Sequence, residues 1–381
     1  MRITEIRERT VSLSAPMRNA SISFGAMTAS AVAVTTDVIR NGKPVIGLSF
    51  DSPGRYGHGG LLRERFIPRI LEADPEDLLT LDGNNLDPHR VWNVLMRNEK
   101  AGGHGERCGA VGLLDCAVWD AVAKIEEKPL WRVLSERYCG LSDQIRVPVY
   151  ASGGHYRDHD DLAHLHDSIS RSRDLGFTKF KIKFGGLPLE DDLRRVETAI
   201  SAVQSSSDLA IDCNGTWSGS QLEEMAARLS PYQLGWIEEP VHPLDYELSR
   251  AFASQYKGPI ATGENIFSAD DTLNLLRYGG LRPDRDILQM DVSLSYGLVE
   301  YLRIVELAEQ HGWSRSNCIP HAGFLLAFNV VAGLELGRHE TSMSGSFALY
   351  LPTTDGYVRP DEAPGVGYER SPIFRAIFSE L

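Results

Sequence analysis

Apolar and polar residues alternate along much of the first 50 positions of the chain, as they do in β-strands with one buried face. One such run covers residues 29–40 and a second covers residues 44–50. Asn41 and Gly42 stand between them, and this pair is typical of a tight hairpin turn because both residues tolerate a positive φ. The pattern therefore predicts a β-hairpin near the amino terminus.

Residues 59–137 change to the period of an amphipathic or buried helix. The clearest segment runs from Glu106 to Glu127, and we expect it to end before Pro129, because the residue preceding a proline disfavours the α region. Strands followed by helices indicate an α+β module, which we place at residues 1–140.

From Val147 onward the pattern becomes strand, helix, strand. Apolar strands are predicted at about 146–151, 178–184, 209–213, 233–239, 258–263, 286–292 and 317–321, with helices between them, for example at 189–203, 220–229 and 298–310. Seven such units favour an α/β barrel of the TIM type at residues 141–340. An open doubly wound sheet is the alternative. The Gly- and Pro-rich segment 341–381 is expected to return to the first module.

Composition narrows the classes of function. The chain has 381 residues, 42% hydrophobic and 24% charged, as in ordinary globular proteins, and its net charge of −13 argues against nucleic acid as a partner. A small anionic substrate remains compatible, because a metal ion and a few lysines can reverse the local field. The five cysteines include no C-x-x-C pair, and no signal peptide or membrane-length apolar run is apparent. We expect a cytoplasmic protein that is not bound to membranes.

Three acidic residues each follow an apolar run at equal intervals along the chain. They are Asp212, Glu238 and Glu264. At the carboxyl ends of three successive parallel strands their carboxylates would converge, which an open sheet would not explain. Hard oxygen ligands without Cys or His suit Mg²⁺. The sequence therefore predicts a magnesium site on a barrel.

Lysines occupy alternate positions of the preceding strand. Lys179, Lys181 and Lys183 share one face, since residues two apart on a strand point the same way. Lys183 lies furthest along and is the candidate base, whereas Lys181 lies one layer below it and Lys179 near the start of the strand. Two crowded ammonium groups beside a metal ion are expected to lower the pKa of a lysine.

A histidine and an aspartate end the last two predicted strands. His321 is the candidate acid or base on the other side of the metal, and the Asp291 carboxylate would orient its imidazole. Asn214, two residues beyond Asp212, is expected to point into the barrel, and Glu239 to point out of it. A lysine and a histidine facing each other across a metal suit removal of a proton from carbon next to a carboxylate.

With these residues the whole chain resembles the enolase superfamily, mandelate racemase subgroup. The resemblance rests on the K-x-K strand, the three acids, the Asp291–His321 pair, the helix segment 117–120 and the tail 361–367. Enzymes of this superfamily use a Lys or His base together with Mg²⁺. The resemblance implies a (β/α)₇β barrel, a capping domain built from both termini, and Mg²⁺ bound by the three acids.

The capping segments 54–57, 98–100 and 103–107, together with 282–286, resemble those of D-tartrate dehydratases. This implies a lyase in which Lys183 takes the C2 proton of a hydroxy diacid or acid sugar and His321 protonates the departing C3 hydroxyl, giving a 2-keto acid. Tyr56, Lys100 and Asn214 are candidate substrate-binding residues. Glu340 resembles a late barrel acid that, in relatives, donates to the substrate carboxylate, a role that would require Glu340 to be protonated. We also expect a homo-oligomer of unspecified size.

Two positions depart from the tartrate dehydratase pattern and leave the substrate open. Pro53 and Phe324 stand where that pattern has Asn and His, so two side-chain donors are missing. A racemase or epimerase would use the same lysine and histidine, with His321 reprotonating the other face of the enolate. A barrel that binds metal and acid without turnover is a third interpretation, and it predicts a lost base or ligand.

Overall fold

The computed structural model describes residues 1–13, 17–52, 54–140, 145–343 and 351–381. Within them a predominantly parallel barrel carries an α+β cap made from both ends of the chain, which confirms the predicted fold class. None of the helices in these ranges combines the length and apolar character needed to cross a lipid bilayer.

The cap begins with a three-stranded antiparallel sheet. Its strands are β1 (Ile3–Ser12), β2 (Thr28–Arg40) and β3 (Lys43–Phe50), in that spatial order. The predicted turn between β2 and β3 has φ of 52° at Asn41 and 76° at Gly42, the two positive values that a type I′ hairpin requires.

Helices follow the sheet and cover one of its faces. They are α1 (Gly59–Leu61), which continues through a π-helical turn (Leu62–Phe66) into α2 (Ile67–Leu71), then α3 (Pro88–Leu95), α4 (Arg107–Ile125) and α5 (Leu130–Tyr138). Nearly every side chain of α4 is buried, because this helix lies between the cap sheet and the barrel. On the sheet side Asp120 accepts a hydrogen bond from Leu48 N at 2.8 Å. On the barrel side a Cβ at Gly112 would lie 1.7 Å from the Ser293 carbonyl oxygen, so only glycine permits this approach.

The barrel alternates strands and helices from residue 147. Its elements are β4 (Val147–Gly153), α6 (Asp161–Asp174), β5 (Phe180–Lys183), α7 (Leu189–Ala202), β6 (Leu209–Asp212), α8 (Leu222–Leu229), β7 (Trp236–Glu238), α9 (Tyr246–Gln255), β8 (Ile260–Thr262), α10 (Ala269–Tyr278), β9 (Ile287–Leu288), α11 (Leu298–Gln310), α12 (Leu325–Leu334) and β10 (His339–Ser342). Strands β4 to β9 pair in parallel in chain order, and β10 pairs with β4.

The strand predicted at 317–321 is reduced to one bridge between Leu288 and Cys318. Ile319 N still donates to the Leu288 carbonyl at 2.9 Å, but Pro320 has no N–H with which to continue the ladder. On the other side Gly337 N donates to the Cys318 carbonyl at 3.0 Å. These bonds and the β10–β4 pairing close the barrel, and the boundary that we set at residue 340 falls inside β10.

The carboxyl-terminal segment connects the barrel to the cap. Its hairpin, β11 (Thr353–Thr354) and β12 (Tyr357–Val358), pairs antiparallel with the start of β4. The chain then returns to α4, where Val366 N donates to Asp120 at 2.6 Å. The last helix, α13 (Pro372–Phe378), packs Phe374 edge-on against Phe50, with ring centroids 5.4 Å apart. The cap therefore contains both ends of the described chain.

Asp115 joins the cap to the barrel, and its loss is expected to destabilise both. Its carboxylate lies in the middle of α4 and accepts hydrogen bonds from Leu298 N at 2.6 Å and Val299 N at 3.2 Å, at the amino end of α11. Asp115→Ala would leave these buried donors unpaired, at a cost of about 1–3 kcal/mol in the free energy of unfolding. Denaturant titration of Asp115→Ala and of the surface variant Asp82→Ala measures this loss of stability. Equal midpoints for the two variants would contradict it.

Candidate active site

Two of the three predicted metal ligands are aligned by strand register. Lys183 pairs with Asp212 across β5 and β6, and Asp212 pairs with Glu238 across β6 and β7, so the three residues end their strands at one level. Asp212 and Glu238 are almost completely buried. Because side chains on neighbouring parallel strands at one level point the same way, the two carboxylates meet inside the barrel.

Glu264 reaches the same point from beyond the end of its strand. Strand β8 stops at Thr262, and the chain turns at Gly263 with φ of 135°, where a Cβ would come within 2.8 Å of the Met290 sulfur. One carboxylate oxygen from each of Asp212, Glu238 and Glu264 lies within 4.8 Å of the others. The three acids that the sequence singled out therefore form one cluster.

The two inner lysines bind this cluster. Lys181 Nζ lies 2.5 Å from Glu238 Oε1 and 3.8 Å from Asp212 Oδ2, whereas Lys183 is hydrogen-bonded to Asp212 Oδ2. The second oxygen of Glu238 accepts from Trp236 Nε1 at 3.0 Å and Gln289 Nε2 at 2.8 Å. Lys179, at the foot of the strand, pairs with Asp208 outside the cluster at 2.5 Å.

The pKa values of both inner lysines are raised by the neighbouring carboxylates, and the lowering expected beside a bound metal ion stays a prediction. Burial alone would lower the pKa of Lys183, but the Asp212 carboxylate outweighs it, and Glu238 does the same for Lys181. Burial and neighbouring carboxylates raise the pKa of Glu238 to about 7 despite Lys181. A cation shared by the acids would reduce their pull on the lysines.

Glu340 lies beside Lys181 and accepts a hydrogen bond. Its carboxylate is 3.4 Å from Lys181 Nζ and accepts a hydrogen bond from the Tyr150 hydroxyl at 3.1 Å. Burial would raise the pKa of Glu340, but the charges of Lys181 and His321 lower it well below its usual value. The donor role that the resemblance implies requires a protonated carboxyl group, and it stays a prediction.

His321 lies at the opposite end of the cluster from Lys183. Its Nδ1 is 2.9 Å from Asp291 Oδ2, so the Nδ1 proton is held by the carboxylate, and its Nε2 is 3.6 Å from Glu264. Burial opposes the charged imidazole, but Glu264 and Asp291 raise the pKa of His321 to about 10. Asp291 is itself buried, and its pKa is lowered because the hydrogen bond and charge of His321 outweigh burial. The imidazole is thus oriented by one carboxylate and turned towards the cluster.

A cavity of about 530 Å³ opens onto these groups. Lys181, Lys183, Asp212, Asn214, Glu264, His321 and Glu340 line it, while Glu238 and Asp291 lie behind its wall. Sequence analysis missed Glu239, Arg55, Arg157 and His155, which also line it. Glu239 has φ of 38°, and this left-handed residue breaks the alternation that would have pointed its side chain outward. Its carboxylate accepts from Asn265 Nδ2 at 2.9 and 3.1 Å.

Two candidate substrate-binding residues from the cap do not lie in this cavity. The Tyr56 side chain is 58% exposed, and its neighbour Arg55 faces the cavity instead. Lys100 is exposed as well, on a segment whose carbonyl accepts from Arg107 at 2.9 Å. Of the two departures from the tartrate dehydratase pattern, Pro53 lies outside the described residues, whereas Phe324 is buried in the cavity wall, edge-on to Phe50.

The donor set fits a small divalent cation. Three carboxylates with neither sulfur nor imidazole suit Mg²⁺, and their mutual repulsion inside the barrel would be relieved by its charge. Asp212, Glu238 and Glu264 would hold the ion, with cavity space left on one side for substrate oxygens. The arrangement can therefore bring a cation, an ammonium group and an imidazole to one bound acid.

Comparisons with known proteins identify a family for this chain. The profile described as enolase C-terminal domain-like matches residues 164–372, more than half of the chain. The chain is 25% identical over 369 residues to L-talarate/galactarate dehydratase of Salmonella typhimurium, covering 94% of this chain and 86% of that protein. It is also 25% identical over 317 residues to arabinonate dehydratase of Saccharolobus solfataricus, covering 80% and 79% of the two chains.

A solved structure shares both the barrel and the cap. L-talarate dehydratase from Polaromonas sp. JS666, crystallised with Mg and L-glucarate, superimposes with a TM-score of 0.76 at 25% identity. The match covers 96% of this chain and 94% of that one.

Proposed function

Because the chain belongs to the enolase C-terminal domain-like family, we propose that it is a Mg²⁺-dependent dehydratase of hydroxy diacids or acid sugars. The observation that carries the proposal is the position of two proton-transfer groups at opposite ends of one carboxylate cluster. Lys183 binds Asp212 at one end, and His321 lies 3.6 Å from Glu264 at the other, both in the same cavity. The dehydratase names of the relatives support the reaction class.

In this proposal Lys183 removes the proton from C2 of the substrate, next to the carboxylate. When bound, Mg²⁺ supplies positive charge that stabilises the negative charge developing on the carboxylate oxygens. His321 then donates its Nε2 proton to the C3 hydroxyl, which leaves as water. The resulting enol takes a proton at C3 and becomes a 2-keto acid, so one molecule of water is lost overall.

Lys181 and Asp291 assist without exchanging protons with the substrate. The ammonium group of Lys181 is buried and paired with Glu238, so it holds positive charge beside the site where the substrate carboxylate would bind. Asp291 keeps the His321 proton on Nδ1 in the neutral imidazole, and keeps the charged form stable after proton uptake.

The outer part of the cavity supports a second carboxylate on the substrate. The Arg55 guanidinium lines the cavity, where it is hydrogen-bonded to Asn265 Oδ1 and lies 5.2 Å from the centre of the Phe267 ring. Among the described residues no carboxylate pairs with it. A cation that lines a cavity without an acidic partner suits an anionic group of the ligand, which favours a diacid such as tartrate or a hexarate over a monoacid.

Replacing Arg55 is expected to penalise diacids more than monoacids. Arg55→Ala would raise KM for a diacid by about 10–100-fold, the value of one or two charge-assisted hydrogen bonds, and would change KM for a matched monoacid by less than about threefold. Arg55→Lys keeps the positive charge but loses the planar guanidinium group. Its KM for the diacid should therefore lie between those of the wild type and of Arg55→Ala. Steady-state kinetics with paired substrates measures this, and equal KM changes for both acids would remove the diacid argument.

The function itself is tested by incubating the purified protein with Mg²⁺ and a panel of acids, and assaying keto acid. D-tartrate, its stereoisomers, hexarates and aldonates form the panel, and EDTA-treated protein and Lys183→Ala are the controls. Keto acid from one compound, absent in both controls, supports the proposal and identifies the substrate. If no compound yields keto acid but recovered acid carries solvent deuterium at C2, the same residues act as a racemase or epimerase.

A further inference from the structure

Asp291, the carboxylate that orients His321, has hydrogen-bond donors on both of its oxygens. Oδ1 accepts from Ser293 N at 2.8 Å, Ser293 Oγ at 3.0 Å and Leu294 N at 2.9 Å, all in the loop that follows β9. Oδ2 is shared between His321 Nδ1 at 2.9 Å and Ser52 Oγ at 2.6 Å. Ser52 differs from the other donors because it belongs to the cap, so one element outside the barrel contacts the oxygen that holds the imidazole.

Ser52 is held rigidly on the cap side. Its side chain is buried, and it follows Asp51, whose main-chain N–H donates to the Ser30 carbonyl at 3.0 Å. The Asp51 carboxylate accepts from Ser30 N at 2.8 Å and lies 3.0 Å from His58 Nδ1. The other nitrogen of His58 is 3.2 Å from Glu106, which directly precedes α4. The hydroxyl therefore has a fixed position relative to the cap sheet and the central helix.

We propose that Ser52 is a positioning residue through which the cap orients the Asp291–His321 pair. An O–H to carboxylate hydrogen bond at 2.6 Å is in the strong, charge-assisted range, so it fixes the direction in which Oδ2 faces the imidazole. Without it, Asp291 still accepts hydrogen bonds from Ser293 and Leu294, but its second oxygen has one contact instead of two. The inference rests on the proposed function, because it assigns Ser52 an effect on the proton transfer that His321 performs.

Ser49, on the strand β3 that ends just before Ser52, provides a matched control. Ser49 is also fully buried, and its Oγ has no hydrogen-bond partner among the described residues. Ser49→Ala therefore removes the same atoms from the same region without removing a hydrogen bond to Asp291. A change that follows Ser52→Ala but not Ser49→Ala is then due to the lost bond rather than to disturbance of the cap.

Kinetics separates positioning from a general structural effect. Ser52→Ala is expected to lower kcat for keto acid formation by about tenfold with KM within about twofold, as for loss of one hydrogen bond to a charged group. Lys183 still removes the C2 proton, so the ratio of solvent deuterium in recovered substrate to keto acid should rise. Equal losses of exchange and product, or a kcat within twofold of the Ser49→Ala control, would overturn the proposal.

Double substitution checks the route through Asp291. In an Asp291→Asn background Ser52→Ala should have little further effect on kcat, since the charged acceptor is already gone. A further tenfold loss in that background would mean that Ser52 acts by another route and would overturn the proposal.

A spectroscopic measurement is independent of turnover. In ¹⁵N-histidine-labelled protein the Nδ1–H of His321, assigned by its absence in His321→Gln, should give a downfield proton signal that shifts upfield in Ser52→Ala and not in Ser49→Ala. An unchanged signal would contradict the positioning role. If the wild-type protein makes no keto acid but the signal shifts as expected, the proposed function fails while the link between cap and imidazole stands.

Discussion

Lys183→Ala is expected to lower kcat for keto acid formation by about 10²–10⁴-fold, the usual contribution of a positioned base. Lys183 ends β5 at the level of Asp212 and lines the cavity, so its amine is placed to reach C2 of a bound acid. The substitution also removes the cation that pairs with Asp212. Mg²⁺ binding should therefore be unchanged or tighter while turnover is lost, which calorimetry and a keto acid assay measure together.

Lys179 is the matched control for this prediction. It directly precedes β5, pairs with Asp208 and is about a third exposed. Lys179→Ala removes the same side chain without reaching the cavity, and its kcat should stay within about twofold of wild type. If both variants lost activity equally, or if Lys183→Ala lost Mg²⁺ binding as well, Lys183 would be a structural residue rather than the base.

The sequence predicted the parts of the site that depend on strand ends. In a barrel the carboxyl ends of the strands meet at one face, so a residue that ends an apolar run can be placed without knowledge of tertiary contacts. Asp212 and Glu238 end their strands at one level, and Glu264 follows closely on β8. The same reasoning, applied to the strands that carry Lys183 and His321, brought these residues to the cavity that the structure shows.

The prediction of side-chain direction from alternation along a strand failed where the backbone is not extended. Glu239 was expected to point outward, but its positive φ turns it into the cavity. The predicted strand at 317–321 survives as one bridge because Pro320 cannot donate to the ladder. Glu239 directly precedes Pro240, which favours extended backbone at the residue before it, so nothing in the sequence indicated the positive φ.

The contacts between cap and barrel could not be read from the sequence at all. Ser52 and Asp291 are 239 positions apart, and no spacing rule links two residues at that separation. Tyr56 and Lys100 were chosen from short motifs that identify the segments but not the direction of each side chain. The lowered lysine pKa expected beside a metal ion stays a prediction, because the direction of the shift depends on the balance between that ion and the nearest carboxylates.

Glu264→Gln is expected to weaken Mg²⁺ binding by more than about 100-fold, since loss of a neighbour that merely supports a metal ligand already costs about 10–100-fold. Glu264 is the most exposed of the three acids and has no lysine partner among the described residues. Its replacement removes a ligand and the charge that faces His321 at 3.6 Å, but it breaks no hydrogen-bonded lysine pair, so the melting temperature of the metal-free protein should change little. Calorimetric titration with Mg²⁺ and thermal unfolding with and without EDTA measure both quantities.

Glu238→Gln provides the contrast within the same cluster. Glu238 holds the buried Lys181 at 2.5 Å. Its replacement leaves an ammonium group that, among the residues the structure describes, only Glu340 at 3.4 Å and Asp212 at 3.8 Å offset. Breaking a buried pair from one side costs about 3 kcal/mol in the free energy of unfolding, so this variant should lose both Mg²⁺ binding and metal-free stability. Unchanged Mg²⁺ affinity in both variants would refute the metal site. If the two variants lost Mg²⁺ affinity equally but melted at the same temperature, Lys181 would not need Glu238 for the stability of the metal-free protein.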